Sequence, residues 1–393
     1  LTLTNSLMKD NIGNGITDPI IDVLSTAKFY NVNIAHNQAT MDTLFCDVYA
    51  EGPTSIKNNR INCTELTTHN AAPVVNVTMG DTVPATIADN YIIPGETLFA
   101  ISADEANVVN NSLFSVGSNL GSPPANTGGI RILNSGAVSG NEIRFISTPK
   151  ASTTTYGIYA FDYLSVRISD NRIYGVAGAV VGSVICIYVD GDTSADAEGA
   201  TITGNEIVGD PDADEAIYGI YQNSGKATIT NNMIQDIKEG IVIRYPMVTV
   251  CGNTVAGHMA TPVAGSCGIN VVSTVNNAGA VTGNTVRGFE NGIQTSACVG
   301  VVIANNSIFD CSAYGIYFAG SASNAVLGNL VYDCDVGIYL SSNVNTGFSG
   351  NSIFASGTAD IDTPTTSDNI GMGDYGTATN WTTINLYDTT QTH

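Results

Sequence analysis

The sequence predicts an all-β, single-stranded parallel β-helix, a solenoid of about 14 coils. Three observations lead to this prediction. A pair of turn residues ending in Asn recurs along the chain, a Gly-Ile dipeptide recurs in phase with it, and helix-forming residues are scarce. Charged residues make up only 12% of the 393-residue chain, against a usual value of about 25%. Turn-forming and strand-forming residues take their place.

The first repeated element is Gly, Asp or Asn followed by Asn, any residue, and then Ile, Val or Leu, as in Gly140-Asn141-Glu142-Ile143. Its copies are about 21 to 34 residues apart, which indicates coils near 22 residues with loops of variable length. An Asn in every turn tolerates left-handed backbone and can hydrogen-bond the Asn of the next coil. These turn asparagines are Asn37, Asn59, Asn90, Asn111, Asn141, Asn171, Asn205, Asn232, Asn253, Asn284, Asn306, Asn329 and Asn351.

The second repeated element is the Gly-Ile dipeptide, for example Gly157-Ile158 and Gly315-Ile316, about 12 to 16 residues before the next turn Asn. Each coil is therefore expected to hold two or three short strands separated by turns. Strands of successive coils pair at about 4.8 Å, and their inward Ile, Val and Leu side chains form buried columns that no coil can bury alone.

These repeats resemble the right-handed parallel β-helix repeats of the pectate-lyase-like superfamily, which includes pectin-degrading enzymes, alginate epimerases and phage tailspikes. The resemblance covers residues 1–355 and is most specific for the fold, because this fold hosts many chemistries. It implies a right-handed coil, and the likeness to tailspikes implies a homotrimer. Residues 356–393 depart from the repeat and contain the only Trp, Trp381. We expect them to form an irregular coil and a tail that caps the helix or contacts another chain.

An outward column of side chains accompanies the Gly-Ile strands. If Ile points inward, the next residue points outward, and five of these residues are tyrosines. Rings along a groove are typical of sugar-binding surfaces, although a subunit interface or an ordinary strand surface would use the same residues. The sugar-binding hypothesis names Tyr159, Tyr188, Tyr221, Tyr317 and Tyr339, with Arg244 beside them. The whole column reads Arg131, Tyr159, Tyr188, Tyr221, Val242, Asn270, Gln294, Tyr317 and Tyr339.

Acidic residues flank this column, and the catalytic candidates are Asp162, Asp190 and Glu239. Glycoside hydrolysis needs two carboxyl groups about 5–10 Å apart, a separation of one or two coils. Asp162 with Asp190, or Asp190 with Glu239, would satisfy that spacing. Solvated loop acids are the alternative, and the Asn-Thr-Asp, Asp-Asp, Gly-His-Gly and Asp-Pro-His-Asp motifs of related enzymes are missing.

One loop has alternating acids, Asp190, Asp192 and Asp196, and resembles the first half of an EF-hand calcium loop. It lacks a Gly at the sixth position and flanking helices, so a solvated polar loop is the alternative. No cofactor is required by the sequence, and Ca²⁺ is the one ion that this loop suggests. The eight cysteines show no CxxC spacing and are expected to be buried thiols.

The net charge of the chain limits the classes of partner that it is expected to bind. Lys and Arg number 13 against 35 Asp and Glu, a net charge of −22, which argues against nucleic acid and anionic membranes as partners. No apolar run is long enough to insert into a membrane, and the chain starts without Met inside a repeat, which suggests that a preceding segment was removed. We therefore expect an extracellular or virion-surface protein.

The first functional hypothesis is a tailspike-like protein that binds a surface polysaccharide, with or without cleaving it. A stand-alone secreted polysaccharide hydrolase, lyase or epimerase is the second hypothesis, and a non-catalytic structural or adhesive rod is the third.

Overall fold

The computed structural model divides the chain into two compact units, residues 1–217 and residues 218–393, and we describe each by itself. Side chains are described from residue 33 onward, and the described residues contain strands and no helix. The structure describes residues 2–376 apart from 5–6, 10–11, 17–20, 24–27, 31, 42–44, 51, 64–72, 80–83, 95–97, 117–125, 146–153, 175–182, 192–198, 210–216, 246, 259–261, 273–278, 342–345, 355–356, 363–369 and 372–374.

The strands of the first unit are short where the turns are tight and long where two segments of one coil run together. They are β1 (Thr2–Thr4), β2 (Leu7–Lys9), β3 (Ile12–Ile16), β4 (Ile21–Val23), β5 (Lys28–Tyr30), β6 (Val32–Ala35), β7 (Gln38–Met41), β8 (Cys46–Ala50), β9 (Thr54–Lys57), β10 (Arg60–Asn62), β11 (Val75–Met79), β12 (Ala85–Ala88), β13 (Tyr91–Ile93), β14 (Phe99–Val109), β15 (Ser112–Val116), β16 (Asn126–Ser139), β17 (Glu142–Phe145), β18 (Thr154–Ser169), β19 (Arg172–Tyr174), β20 (Ser183–Gly191), β21 (Gly199–Thr203) and β22 (Glu206–Val208).

The second unit has strands of the same kinds. They are β23 (Ile217–Ser224), β24 (Ala227–Thr230), β25 (Met233–Gln235), β26 (Glu239–Ile243), β27 (Val248–Cys251), β28 (Thr254–Ala256), β29 (Cys267–Val272), β30 (Gly279–Thr282), β31 (Thr285–Arg287), β32 (Asn291–Ser296), β33 (Val302–Ala304), β34 (Ser307–Ala319), β35 (Ala325–Leu327), β36 (Leu330–Ser341), β37 (Gly347–Ser349), β38 (Ser352–Phe354), β39 (Ala359–Asp362), β40 (Ile370–Gly371) and β41 (Tyr375–Gly376).

Every pairing in both units is parallel and joins equivalent strands of successive coils. One sheet contains the strands that follow the turn Asn, for example β25, β28 and β31. A second, the Gly-Ile sheet, contains β26, β29 and β32. The third sheet contains the strands that lead into the turn, such as β27, β30 and β33. The predicted all-β parallel β-helix is thus confirmed within each unit, while the coil number of about 14 stays a prediction.

The turn asparagines form a hydrogen-bonded ladder inside each unit. The side chain of Asn141 donates to Asn171 Oδ1 at 2.9 Å and to the Val108 carbonyl at 2.9 Å. In the second unit, the side chain of Asn306 donates to Asn329 Oδ1 at 2.9 Å. The left-handed residue is the one before the ladder Asn, as at Gly140 with φ +66°. Gly, Asp or Asn occupies that position because these residues adopt left-handed backbone at least cost.

The predicted inward columns are also observed. The side chains of Ile61, Ile143, Ile173 and Ile207 are buried in the first unit, and those of Ile234, Ile308 and Ile353 are buried in the second. Cys311 and Cys334 are in register on neighbouring coils and remain buried thiols. Parallel pairing is also present after residue 355, where β41 pairs with β38.

Gly in the Gly-Ile dipeptide allows close coil packing. A Cβ at Gly219 would lie 2.5 Å from the Gly240 carbonyl oxygen, which is closer than non-bonded contact permits. The dipeptide places two buried residues in succession, with Tyr218 before it and Tyr221 after it partly exposed. This Gly-Ile strand therefore presents two partly exposed positions, one before the Gly and one after the Ile.

Candidate functional site

Aromatic rings pack on one another along the Gly-Ile sheet of the first unit. We call Phe99, Tyr156, Tyr159, Phe161 and Tyr188 the ring stack. The Tyr159 ring is nearly parallel to the Tyr188 ring, with centroids 5.2 Å apart and an angle of 13°. It also stacks with Phe99 at 6.0 Å and with Phe161 at 5.8 Å. Register explains these contacts, because Tyr159 and Tyr188 are paired residues of β18 and β20.

The ring stack uses ring faces for contacts within the protein. A Cβ at Gly128 would lie 2.7 Å from Phe99, so the missing side chain leaves room for the Phe99 ring to reach Tyr159. Tyr159 therefore contacts other rings on more than one side. The sequence led us to expect open stacking platforms here, whereas the Tyr159 ring faces are engaged by neighbouring rings.

Asp190 is the polar neighbour of the ring stack. Its Oδ2 accepts a hydrogen bond from the Tyr188 hydroxyl at 3.2 Å. Burial raises the pKa of the Tyr188 phenol well above its usual range, and the Asp190 carboxylate raises it further. Burial also raises the pKa of Tyr159, which Asp190 increases and Arg131 decreases. Tyr188 is accordingly a neutral hydrogen-bond donor throughout the physiological pH range.

Asp162 lies at an irregularity in β18, between Phe161, which is paired with Asp190, and Tyr163, which is paired with Gly191. It has a φ of +52° and an exposed side chain. Asp162 and Asp190 thus lie near one another in register, as one predicted carboxylate pair requires. Asp190 and Glu239, the other predicted pair, belong to different units.

A second outward cluster surrounds Glu239 in the second unit. Tyr218 and Tyr221 meet edge to face, with centroids 5.5 Å apart. The Arg244 guanidinium lies 5.5 Å from the centroid of the Tyr221 ring. Glu239 Oε2 accepts a hydrogen bond from Asn270 Nδ2 at 3.3 Å. The predicted residues Tyr221, Glu239 and Arg244 are therefore neighbours in one cluster.

Electrostatics at Glu239 are dominated by burial, which raises the pKa of its carboxyl group. The hydrogen bond from Asn270 and the positive charges of Lys238 and Arg244 oppose this shift. Burial raises the pKa of the Tyr218 phenol, and the Glu239 carboxylate adds to that increase. A half-buried carboxyl with a raised pKa beside a phenol can donate or accept a proton nearer to neutral pH than an exposed Glu can.

Three amides continue this surface, and we call Asn270, Asn291 and Gln294 the amide row. Asn270 and Gln294 are paired in register on β29 and β32. Asn291 Nδ2 donates to Gln294 Oε1 at 3.2 Å, and Gln294 Nε2 donates to Ser296 Oγ at 3.2 Å. The carbonyl oxygens Asn270 Oδ1 and Asn291 Oδ1 are buried and have no hydrogen-bond partner among the described residues.

A group of three rings, which we call the tyrosine trio, follows the amide row. It consists of Tyr314, Tyr317 and Tyr339. Its centroids lie 4.6 to 5.5 Å apart, and the rings of Tyr317 and Tyr339 are tilted by 54°. Burial is the largest cause of the raised pKa of Tyr314. The two neighbouring tyrosines and the carboxylates of Asp362 and Asp335 raise this pKa further. The Tyr314 and Tyr317 rings are stacked at 30°, so the trio combines one stacked contact with two tilted ones.

The predicted site residues thus fall into two groups. Tyr159, Tyr188, Asp162 and Asp190 lie on the first unit, while Tyr221, Glu239, Arg244, Tyr317 and Tyr339 lie on the second. For the calcium site, Asp190 is described, whereas Asp192 and Asp196 lie outside the described residues. In the part of the chain that the structure describes, no three His, Cys, Asp or Glu side chains converge as metal ligands.

The sequence prediction missed several residues of these clusters. Tyr156, Tyr218, Asn291 and Tyr314 each directly precede the Gly of a Gly-Ile dipeptide. Two buried residues separate them from the predicted column, and in β23 and β34 the burial pattern shows the tyrosine before the Gly as partly exposed. The signal was therefore present in the repeat, but strict alternation of inward and outward residues hides it.

Similarities to known proteins are limited. The family model described as "Periplasmic copper-binding protein (NosD)" matches residues 178–370, just under half of the chain. A search of curated protein sequences finds no significant match. No described helix is long and apolar enough to cross a membrane.

Solved structures with a similar chain path include two epimerases and one phage protein. The A-module of mannuronan C-5 epimerase AlgE4 from Azotobacter vinelandii is 13% identical, with 85% of this chain and 90% of that chain covered and a TM-score of 0.36. The periplasmic alginate epimerase AlgG is 11% identical, with coverages of 91% and 77% and a TM-score of 0.36. Tailspike protein 3 of bacteriophage CBA120 is 12% identical, with coverages of 90% and 56% and a TM-score of 0.37. These low TM-scores carry no conclusion about function.

Proposed function

We propose that this protein binds a polysaccharide along the outward faces of its Gly-Ile sheets. The observation that carries the proposal is the combination of partly exposed aromatic rings with half-buried carboxyl groups at outward positions in both units. Tyr188 with Asp190, and Tyr218 with Glu239, are the two examples. Sugars combine apolar ring faces with hydroxyl groups, and surfaces that bind them combine aromatic side chains with fixed polar groups.

The two units serve different parts of this proposal. In the ring stack, hydroxyl groups and ring edges are the expected contacts, because ring faces of Tyr159 pack against other rings. In the second unit, the tilted rings of the tyrosine trio and the Tyr218–Tyr221 pair flank polar side chains. Glycan rings can contact the flanking tyrosines there, while hydroxyl groups meet the polar side chains between them.

Cleavage is a separate part of the proposal, and Glu239 is its best-supported candidate. Its raised pKa and its contact with Asn270 are properties of a general acid or base held in position. Asp162 and Asp190 remain proposed as a second carboxylate pair, because β-helix register brings them near one another. Hydrolysis would require one carboxyl group to protonate the leaving oxygen and the other to act as nucleophile or base.

Binding tests the proposal directly. The wild-type protein and the variants Tyr188→Ala and Tyr339→Ala are titrated against a panel of neutral and acidic polysaccharides. Loss of a ring contact should weaken binding about five- to tenfold. Thr249→Ala is the matched control, because Thr249 is exposed on a different sheet. Retention of full affinity by both tyrosine variants would favour a subunit contact at these faces.

Turnover distinguishes binding from cleavage. Reducing ends and the absorbance of unsaturated products are followed for the wild type, Glu239→Gln and Asp190→Asn. If the carboxyl group is catalytic, its replacement by an amide should change affinity by no more than about twofold and abolish turnover. If the wild type binds the panel without forming product, the protein is a binding module.

Location and assembly complete the proposal. We place the protein outside the cytoplasm, at an extracellular, periplasmic or virion surface, with the C-terminal segment 356–393 as a cap or inter-chain contact. The tailspike resemblance implies a homotrimer, which light scattering tests. A monomer in solution would contradict it. In the described part of residues 178–370, no three His, Cys, Asp or Glu side chains converge as metal ligands.

A further inference from the structure

We infer that the second-unit site takes a neutral, hydroxyl-rich polysaccharide and selects against polyuronates. The inference rests on the proposed function and specifies its substrate class. It depends on the polarity of the amide row, on the charges around it, and on the rings at its two ends.

Asn270 fixes the polarity of the row. Its Nδ2 faces Glu239 Oε2 at 3.3 Å, and an ionised carboxylate can only accept a hydrogen bond. The amide is therefore oriented with its Nδ2 toward Glu239, which leaves Asn270 Oδ1 as the group without a partner among the described residues. An unsatisfied carbonyl oxygen is an acceptor that needs a donor, and a sugar hydroxyl is such a donor.

Asn291 adds a second acceptor. Its side chain is 8% exposed, its Nδ2 is used by Gln294, and its Oδ1 has no partner in the described part of the chain. Both carbonyl oxygens are buried, although the Asn270 residue as a whole is partly exposed. Leaving such acceptors unsatisfied is unfavourable, so a ligand that supplies donors is stabilised there.

Charges around the row oppose an anionic ligand. Glu239 and Glu290 lie in the flanking positions of neighbouring coils, and Asp335 and Asp362 act on the tyrosine trio. Lys238 and Arg244 are the cations that act on Glu239, and the whole protein has a net charge of −22. A uronate carboxylate approaching the row would therefore meet acceptors and carboxylates, whereas a primary alcohol would donate to them.

The rings define the length of the site. Tyr221, Val242, Asn270, Gln294 and Tyr317 are in register on five successive coils. Four steps between coils correspond to about 19 Å, long enough for several sugar units. A bound polysaccharide would thus contact tyrosines at both ends of a polar centre. Asn270 is assigned as the specificity-determining residue of that centre.

The test compares two polymers that differ only in whether each sugar carries a carboxylate or a primary alcohol. Alginate, a polyuronate, and the same polymer with its carboxyl groups reduced to primary alcohols are titrated against the full chain. We expect the reduced polymer to bind at least about tenfold more tightly at 0.15 M salt. At 1 M salt, where screening acts over about 3 Å, the preference should shrink but persist at about fivefold, because the acceptors of the row are local.

Variants assign the persistent preference to the amide row. Asn270→Ala should weaken binding of the reduced polymer about fivefold and lower the high-salt preference to about twofold or less. Asn291→Ala should act in the same direction, and Thr249→Ala should change neither value. Circular dichroism and a thermal melt confirm that each variant is folded.

The possible results separate the two proposals. Equal or tighter binding of unreduced alginate, or an unchanged high-salt preference in both amide variants, would overturn the substrate class while the proposed binding function stands. If neither polymer nor any neutral polysaccharide in the panel binds, the proposed function and this inference fail together.

Discussion

The interiors of the two units share one design, whereas their outward faces differ. Inside, each ladder Asn donates to the next at about 2.9 to 3.0 Å in both units. Outside, the Gly-Ile sheet of the first unit has a ring stack, and that of the second has an amide row between tyrosine clusters. The repeat therefore sets the interior and leaves the outward positions free to take different residues.

This difference separates stability from function. Ring stacking in the first unit adds favourable contacts to the folded state. The amide row keeps two buried carbonyl oxygens without partners among the described residues, an arrangement that lowers stability. Residues that lower stability without an internal reason are candidates for binding a ligand, and they lie here beside the raised-pKa carboxyl of Glu239.

The largest expected effect concerns the shared interior. Asn141→Ala in the first unit removes an acceptor for the backbone N–H of Asn111 and a donor to Val108. Asn306→Ala does the same to Asn284 and Val281 in the second unit. Because buried backbone groups are left unsatisfied, each variant should lose about 3 kcal/mol of unfolding free energy or more.

Urea unfolding measures both losses. If the ladder is one design, the two losses should agree within about 1 kcal/mol. Asn107→Ala, a partly exposed position of β14, serves as the control and should change stability by less than about 0.5 kcal/mol. Losses that differ more widely would show that the two interiors are not equivalent.

The ladder also shows how far the sequence determines the fold. The Asn repeat and the Gly-Ile repeat predict the coil, the parallel pairing, the inward isoleucines and the column of outward residues, because stacking forces equivalent residues into register. The predicted column is paired in register from Arg131 to Tyr188 and from Tyr221 to Tyr339. Val242 within it is buried rather than exposed.

The site was less predictable, for two physical reasons. Period-two alternation fails at Gly-Ile, where two consecutive residues are buried, so Tyr218 and Asn291 were missed. Contacts between rings and the direction of an amide depend on side-chain rotation. The engagement of Tyr159 by Phe99, and the Asn270 carbonyl oxygen without a partner among the described residues, therefore follow only from the structure.

A smaller effect concerns the rings. Tyr159 has ring contacts with Phe99, Tyr156, Phe161 and Tyr188. Tyr317 has them with Tyr314 and Tyr339. At about 0.5–1.5 kcal/mol for each aromatic pair, Tyr159→Ala should lose about twice as much unfolding free energy as Tyr317→Ala.

Binding measurements on the same two variants sharpen the comparison. Tyr159→Ala should act mainly on stability, and Tyr317→Ala should act mainly on polysaccharide affinity. The phenylalanine variants at both positions are controls, because they keep the ring and remove only the hydroxyl. If Tyr317→Ala is the more destabilising variant and leaves affinity intact, the assignment of Tyr159 mainly to stability and of Tyr317 mainly to binding is wrong.

The smallest expected effect is a pH dependence of stability that comes from Glu239 on the second face. Burial raises the pKa of Glu239 above its ordinary value of 4.5. The folded state therefore holds this proton to higher pH than the unfolded state does, and stability must fall as the pH rises from about the ordinary value through the raised one.

Glu239→Gln retains an acceptor for Asn270 and removes the titration. We expect its melting temperature to change less than that of the wild type between pH 4.5 and pH 7, by about 1–3 °C. At pH 7 the variant should be at least as stable as the wild type. Asp104→Asn is the comparison variant from the first unit and should reduce the pH slope in the same direction, because burial also raises the pKa of Asp104 while Arg131 opposes the shift. Equal pH slopes for the wild type and Glu239→Gln would mean that Glu239 is ionised as readily as an exposed Glu, and its proposed role in proton transfer would lose its physical basis.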